Sequence, residues 1–99
     1  MLYDDVANSG GVGVRYRSTP NHWCGSRPQT DPCWRDVVSG AGAAEGQKLR
    51  IYCYAAGANV HGDSWWAKVR VKPDEYVPTA FLRSAARYSS IAPPTSLRC

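Results

Sequence analysis

Histidine, phenylalanine and methionine are almost missing from this chain: two His, one Phe and one Met in 99 residues. With only His22 and His61 able to act as bases near neutral pH, general acid–base chemistry has few candidates. His22 stands two residues from Cys24, too close in sequence for either side chain to orient the other as a nucleophilic pair. The acidic residues Asp4, Asp5, Asp31, Asp36, Glu45, Asp63, Asp74 and Glu75 are scattered through loops and form no recognisable glycosidase pair. No catalytic activity is therefore expected, and no cofactor. No apolar run approaches the roughly 18 residues a membrane-spanning helix needs. Helical periodicity, internal repeats and CxxC knuckles are absent as well, and the lack of closely spaced ligand pairs argues against a zinc site. Met1 to Gly11 carries Asp4 and Asp5 and no apolar stretch, so no signal peptide is expected here. An exported form would have lost its signal or had it replaced by Met1.

What the chain does contain is tyrosine, tryptophan, cysteine and positive charge. Four Trp and six Tyr against a single Phe favour rings with a polar tip, the kind that sit half-exposed on recognition surfaces. Twelve Lys+Arg against eight Asp+Glu give a net charge of +4, basic but short of a dedicated nucleic-acid stripe. Cys24, Cys33, Cys53 and Cys99 are an even set of separated cysteines in a chain of single-domain length. That pattern favours two disulfides, and with them a secreted or cell-surface location. Three pairings are formally possible.

Alternation places the strands. Gly10 to Arg17 sets Val12, Val14 and Tyr16 against Gly11, Gly13, Arg15 and Arg17, a period of two. Asn21 to Gly46 is a long stretch rich in Pro, Gly and Ser around Trp23, Cys24, Cys33 and Trp34, with a short strand expected at Asp36–Ser39. A loop of this length is usually functional or cross-linked, and a Cys24–Cys33 bridge would order it. Lys48 to Tyr54 puts Leu49, Ile51 and Cys53 on one face and Arg50, Tyr52 and Tyr54 on the other. Ala55 to Asp63 reads as a turn region. Ser64 to Val71 is a strand with Trp65, Ala67, Val69 and Val71 inward and Trp66, Lys68 and Arg70 outward. Tyr76–Pro78 opens a last short strand, Thr79–Leu82 reads as one 3₁₀ turn, and Ser84 to Cys99 shows no periodicity. About five short strands without helix predict an all-β fold, a small barrel with a long disulfide-closed loop and an irregular C-terminal tail.

At these residues the chain resembles the bacterial SH3-like (SH3b) domains, in the version found in secreted actinobacterial proteins. The resemblance rests on Val14-Arg15-Tyr16-Arg17-Ser18-Thr19-Pro20, Gly40-Ala41-Gly42 and Gly46-Gln47-Lys48-Leu49-Arg50-Ile51-Tyr52-Cys53-Tyr54 with Gly57. Ser64-Trp65-Trp66-Ala67-Lys68-Val69 and Tyr76-Val77-Pro78-Thr79-Ala80-Phe81-Leu82 complete it. It implies an N-terminal arm at 1–11, an SH3-like barrel at 12–83 and a C-terminal tail at 84–99 tied back by Cys99. The tail Ile91-Ala92-Pro93-Pro94 ending in Cys99 is similar to secreted members and implies a Cys53–Cys99 disulfide, leaving Cys24–Cys33 for the loop. The inserted loop at 21–36 departs from the family pattern.

The resemblance also implies a ligand class: bacterial cell-wall (peptidoglycan) material, bound without catalysis. The residues expected to carry that binding are Trp66, Tyr52, Tyr54, Trp23 and Trp34, with Arg17, Arg50 and Lys68 beside them. Aromatic rings supply stacking and apolar contact, and arginine forks grip carboxylates. The alternative is a protein–protein interaction module or self-assembling subunit using the loop and strand edges. The expected disulfides argue against nucleic acid.

Overall fold

The computed structural model describes all 99 residues and is all-β, with seven strands, short 3₁₀ turns and no α-helix. The strands are β1 (Leu2–Asp5), β2 (Val14–Arg17), β3 (Val37–Ala43), β4 (Lys48–Ile51), β5 (Cys53–Val60), β6 (Asp63–Val71) and β7 (Asp74–Pro78). They form a two-stranded sheet, β1-β4, and a five-stranded sheet in the order β3-β2-β7-β6-β5. All named pairings are antiparallel. No continuous ladder closes the sheets into a barrel.

Between β4 and β5, Tyr52 breaks the strand and gives its N–H to the Lys68 carbonyl at 2.9 Å. One run of chain thereby serves both sheets. The break also resets the side-chain phase, because strand side chains alternate with a period of two. Leu49 and Ile51 point into the core as expected, but after Tyr52 it is Tyr54 that turns inward while Cys53 is only half-buried. Tyr54 meets Tyr88 edge-on at 5.0 Å. Its hydroxyl is pushed up to about 12 by burial first, then by Tyr88 and Asp4. Expecting Tyr54 on the outer face continued the alternation across a junction that interrupts it.

β5 runs on to Val60, so most of the expected turn region is strand. The turn itself is His61-Gly62, both at positive φ (53° and 85°), as a tight two-residue hairpin requires. At the other end of the sheet, β2 starts only at Val14. Gly10, Gly11 and Gly13 take φ of 68°, 87° and 81°, which breaks the extended run expected from residue 10. A Cβ on Gly13 would lie 2.4 Å from the Ala43 carbonyl oxygen, so only glycine allows the close approach of β2 and β3. Val12 is 87% exposed, and Arg17, expected at the binding surface, is buried.

The core gathers Val6, Leu49, Ile51, Tyr54, Ala67, Val77, Leu82, Ala85 and Tyr88 with Ala43. Its members include residues from both chain ends. The segment expected as an N-terminal arm supplies β1 and the buried Val6, whose N–H reaches the Gln47 carbonyl at 2.9 Å. The tail is held at three places. The Asp4 carboxylate accepts from the N–H groups of Ser84 (3.0 Å) and Ala85 (2.9 Å). Tyr88 and Pro93 are buried. Cys99 gives its N–H to the Tyr54 carbonyl at 2.8 Å beside the Cys53–Cys99 disulfide.

The other face of the five-stranded sheet is covered by the 21–36 loop. Trp23 lies edge-on against Trp66 at 6.5 Å and tilted against Phe81 at 5.5 Å, with His61 closing the group at 6.3 Å. Trp66 is therefore fully buried and gives its indole N–H to the Ala58 carbonyl at 2.9 Å. The alternation places Trp66 correctly on the face opposite Ala67. That face is interior because the inserted loop lies on it.

Candidate functional site

Arg17 organises the loop. Its guanidinium is buried, with Nη1 donating to the carbonyls of His22 (3.3 Å) and Cys33 (3.2 Å) and approaching the Cys24 sulfur at 3.7 Å. It stacks between two indoles, 5.3 Å from the Trp23 centroid and 5.7 Å from that of Trp34. Burial lowers its pKa, opposed by the negative charge of Asp36. The Cys24–Cys33 disulfide closes the loop around this cation. A second latch lies at the loop base, where Asp36 accepts from Thr19 Oγ1 at 3.0 Å and meets His22 Nδ1 at 2.6 Å. Asp31 caps the 3₁₀ turn Pro32–Asp36, taking the Cys33 N–H at 2.9 Å.

Because Arg17 is bonded to loop carbonyls, its role is to hold the loop, and replacing it tests that role. Arg17→Met keeps the stem and removes the donors. We expect a loss of about 1.5–3 kcal/mol in urea unfolding, the range for hydrogen bonds from a charged group. Amide exchange should accelerate at residues 22–35 ahead of the sheets.

With the loop in place, a trough opens between it and the start of β2. A cleft of about 220 Å³ is lined by Trp23, Trp34, Phe81, Val14, Arg15 and Arg17 with the Ser9–Gly13 turn. A wider groove of about 740 Å³ continues from it along β3, past Gln29 and Val37–Ala44. The two share Val12, Val14, Arg15 and Trp34 and so form one surface. Arg15 stands at their junction, exposed, with its guanidinium 5.5 Å from the Trp34 centroid. Trp34 is positioned by its own indole N–H, given to the Arg27 carbonyl at 3.2 Å. The trough offers apolar contact, one held guanidinium and strand backbone, a set suited to binding.

Of the residues expected from sequence, Trp23, Trp34 and Arg17 come together here. Trp66 and Tyr54 are interior and can touch no ligand. Tyr52, 41% exposed, lies under Arg50 at 4.4 Å on the β1-β4 sheet, where Arg50 pairs across to Tyr3. Lys68 is engaged by Asp74 at 3.1 Å and sits 5.9 Å from the Tyr76 centroid. The single expected groove thus divides into separate places. Phe81 and the β3 backbone belong to the trough and were not among the expected site residues. The uncharged run Val37–Ala44 was their one visible sign.

All four cysteines are in disulfides, and no three His, Cys, Asp or Glu side chains converge as a metal site would require. No protein-family model matches the chain, and no curated protein or solved structure matches it.

Proposed function

We propose that this protein is a non-catalytic extracellular binding module that recognises bacterial cell-wall glycopeptide through the Trp23–Trp34 trough. The observation that carries the reading is Arg15 held over Trp34 at the mouth of an aromatic cleft. Indole faces stack on sugar rings or apolar peptide groups, and a guanidinium fork takes a carboxylate such as a stem peptide carries. The ligand class itself comes from the resemblance to SH3b domains. Two disulfides are compatible with an oxidising, extracellular setting.

The test is co-sedimentation of the oxidised protein with purified Gram-positive cell walls, next to Trp34→Ala. We expect the parent to pellet with the walls and the variant to be retained about tenfold less, a difference of about 1.4 kcal/mol. Near-UV circular dichroism checks that the variant keeps the Trp66 environment. A parent protein that stays in the supernatant at modest salt overturns the reading.

A further inference from the structure

We propose that the free edge of β3 is a docking edge for an extended, acidic segment of a protein partner, which adds to the five-stranded sheet as one more strand. This inference does not rest on the cell-wall reading.

A sheet edge exposes unpaired N–H and C=O groups, and proteins usually cover it or guard it with charge or proline. Parts of two other edges are met by neighbouring chain. On β5, Ala58 gives its N–H to the Pro20 carbonyl at 2.8 Å, and Tyr54 is met by Arg98 and Cys99 of the tail. On β1, Val6 bridges to Leu82, Ala7 bonds Phe81 at 2.9 Å and Arg83 bonds Asp5 at 2.8 Å. β3 has β2 as its one strand neighbour, and no loop backbone or side-chain hydrogen bond reaches residues 38–43. Val37–Ala43 also contains no charged residue and no proline.

Length and charge define what fits. The β2–β3 register jumps from Arg15↔Gly42 to Arg17↔Val37, and Gly40 sits at φ 74°, so β3 bows outward in its middle. The regular stretch is Gly42–Ala43, antiparallel to Val14–Arg15. That stretch is where an added strand would pair, with alternate side chains falling toward the groove. Arg15 is the one charged residue lining the β3 groove, and no carboxylate of the protein pairs with it. A partner carboxylate reaching Arg15 therefore meets an unpaired, positioned cation. An apolar neighbour on the same segment can enter the Trp23–Trp34–Phe81 cleft.

The experiment is an NMR titration of the oxidised, isotope-labelled protein with a short blocked peptide that alternates valine with glutamate. We expect shift changes and slowed amide exchange at residues 41–43. The same peptide N-methylated at alternate nitrogens loses ladder donors and should bind about tenfold more weakly. Replacing its glutamates with glutamine should weaken binding to the parent, but not further to Arg15→Gln. Cell-wall retention is read on the parent without peptide, so its failure leaves the amide-exchange result at residues 41–43 standing, which separates the two readings. Three results overturn the proposal: no binding up to millimolar peptide, equal binding of the N-methylated form, or shifts confined to the Tyr3–Tyr52 face. Concentration-dependent shifts at residues 41–43 without peptide would also overturn it, by assigning the edge to a second copy of the chain.

Discussion

Trp66→Ala should unfold or nearly unfold this protein, and not merely weaken a surface. The indole is fully buried between the sheet and Trp23, and its N–H is satisfied by the Ala58 carbonyl. Truncating a buried aromatic to alanine costs about 3–5 kcal/mol. The removal leaves a cavity and also exposes the Ala58 carbonyl. A domain of this size has about 5–15 kcal/mol of stability to lose. Urea unfolding followed by Trp fluorescence should show the midpoint collapse, with loss of near-UV signal at zero denaturant as the extreme outcome. A variant with the parent midpoint would mean that the loop does not cover this face. The contrast with Trp34→Ala is informative, because Trp34 is half-buried at the trough and should lose binding well before fold.

Removing the Cys53–Cys99 disulfide should be the more damaging of the two disulfide losses. Its cysteines are 46 residues apart, against 9 for Cys24 and Cys33. In the chain-entropy account the longer loop restrains the unfolded state by about 4 kcal/mol and the shorter by roughly 2.6 kcal/mol. Native contacts point the same way. Cys53–Cys99 fastens the tail that carries Tyr88 and Pro93 into the core, while Cys24–Cys33 fastens a loop also held by Arg17 and Asp36. Comparing the double variants Cys53→Ser/Cys99→Ser and Cys24→Ser/Cys33→Ser in urea decides the order. Equal midpoints would show that the tail contributes little beyond the link itself. Peptide mapping of the oxidised parent should recover the same two pairings.

Local patterning made much of the fold legible. Period-two alternation marked β2, β4 and β6, and glycine and proline clusters marked breaks between them. The 3₁₀ turn expected at Thr79–Leu82 is present at Thr79–Phe81. Alternation states that two faces differ, however, and does not state what lies on each. Trp66 and Tyr54 show the two ways this matters. Trp66 sits on the face opposite Ala67 as its parity requires, and a loop 30 to 45 positions earlier in the chain covers it. Tyr54 changes face because the chain passes between sheets at Tyr52, a junction with no residue signature of its own.

Arg17 shows the same limit from the opposite side. Its type and its neighbours Trp23 and Trp34 suggested a ligand contact, yet its donors are taken by the His22 and Cys33 carbonyls. The exposed cation at the trough is Arg15, two residues away on the same strand face. Which of the two reaches solvent depends on how the loop folds over β2.

By itself the sequence determined the all-β class, the cross-linked character and the absence of a membrane-spanning helix, because each follows from short-range spacing and composition. The tertiary structure alone decided which tryptophans are core and which line the trough, which arginine is structural, and that β3 keeps a bare edge. Those outcomes depend on contacts between residues far apart in the chain. A residue's own neighbours in sequence carry its strand parity, whereas its burial is set by whatever the rest of the chain lays over it.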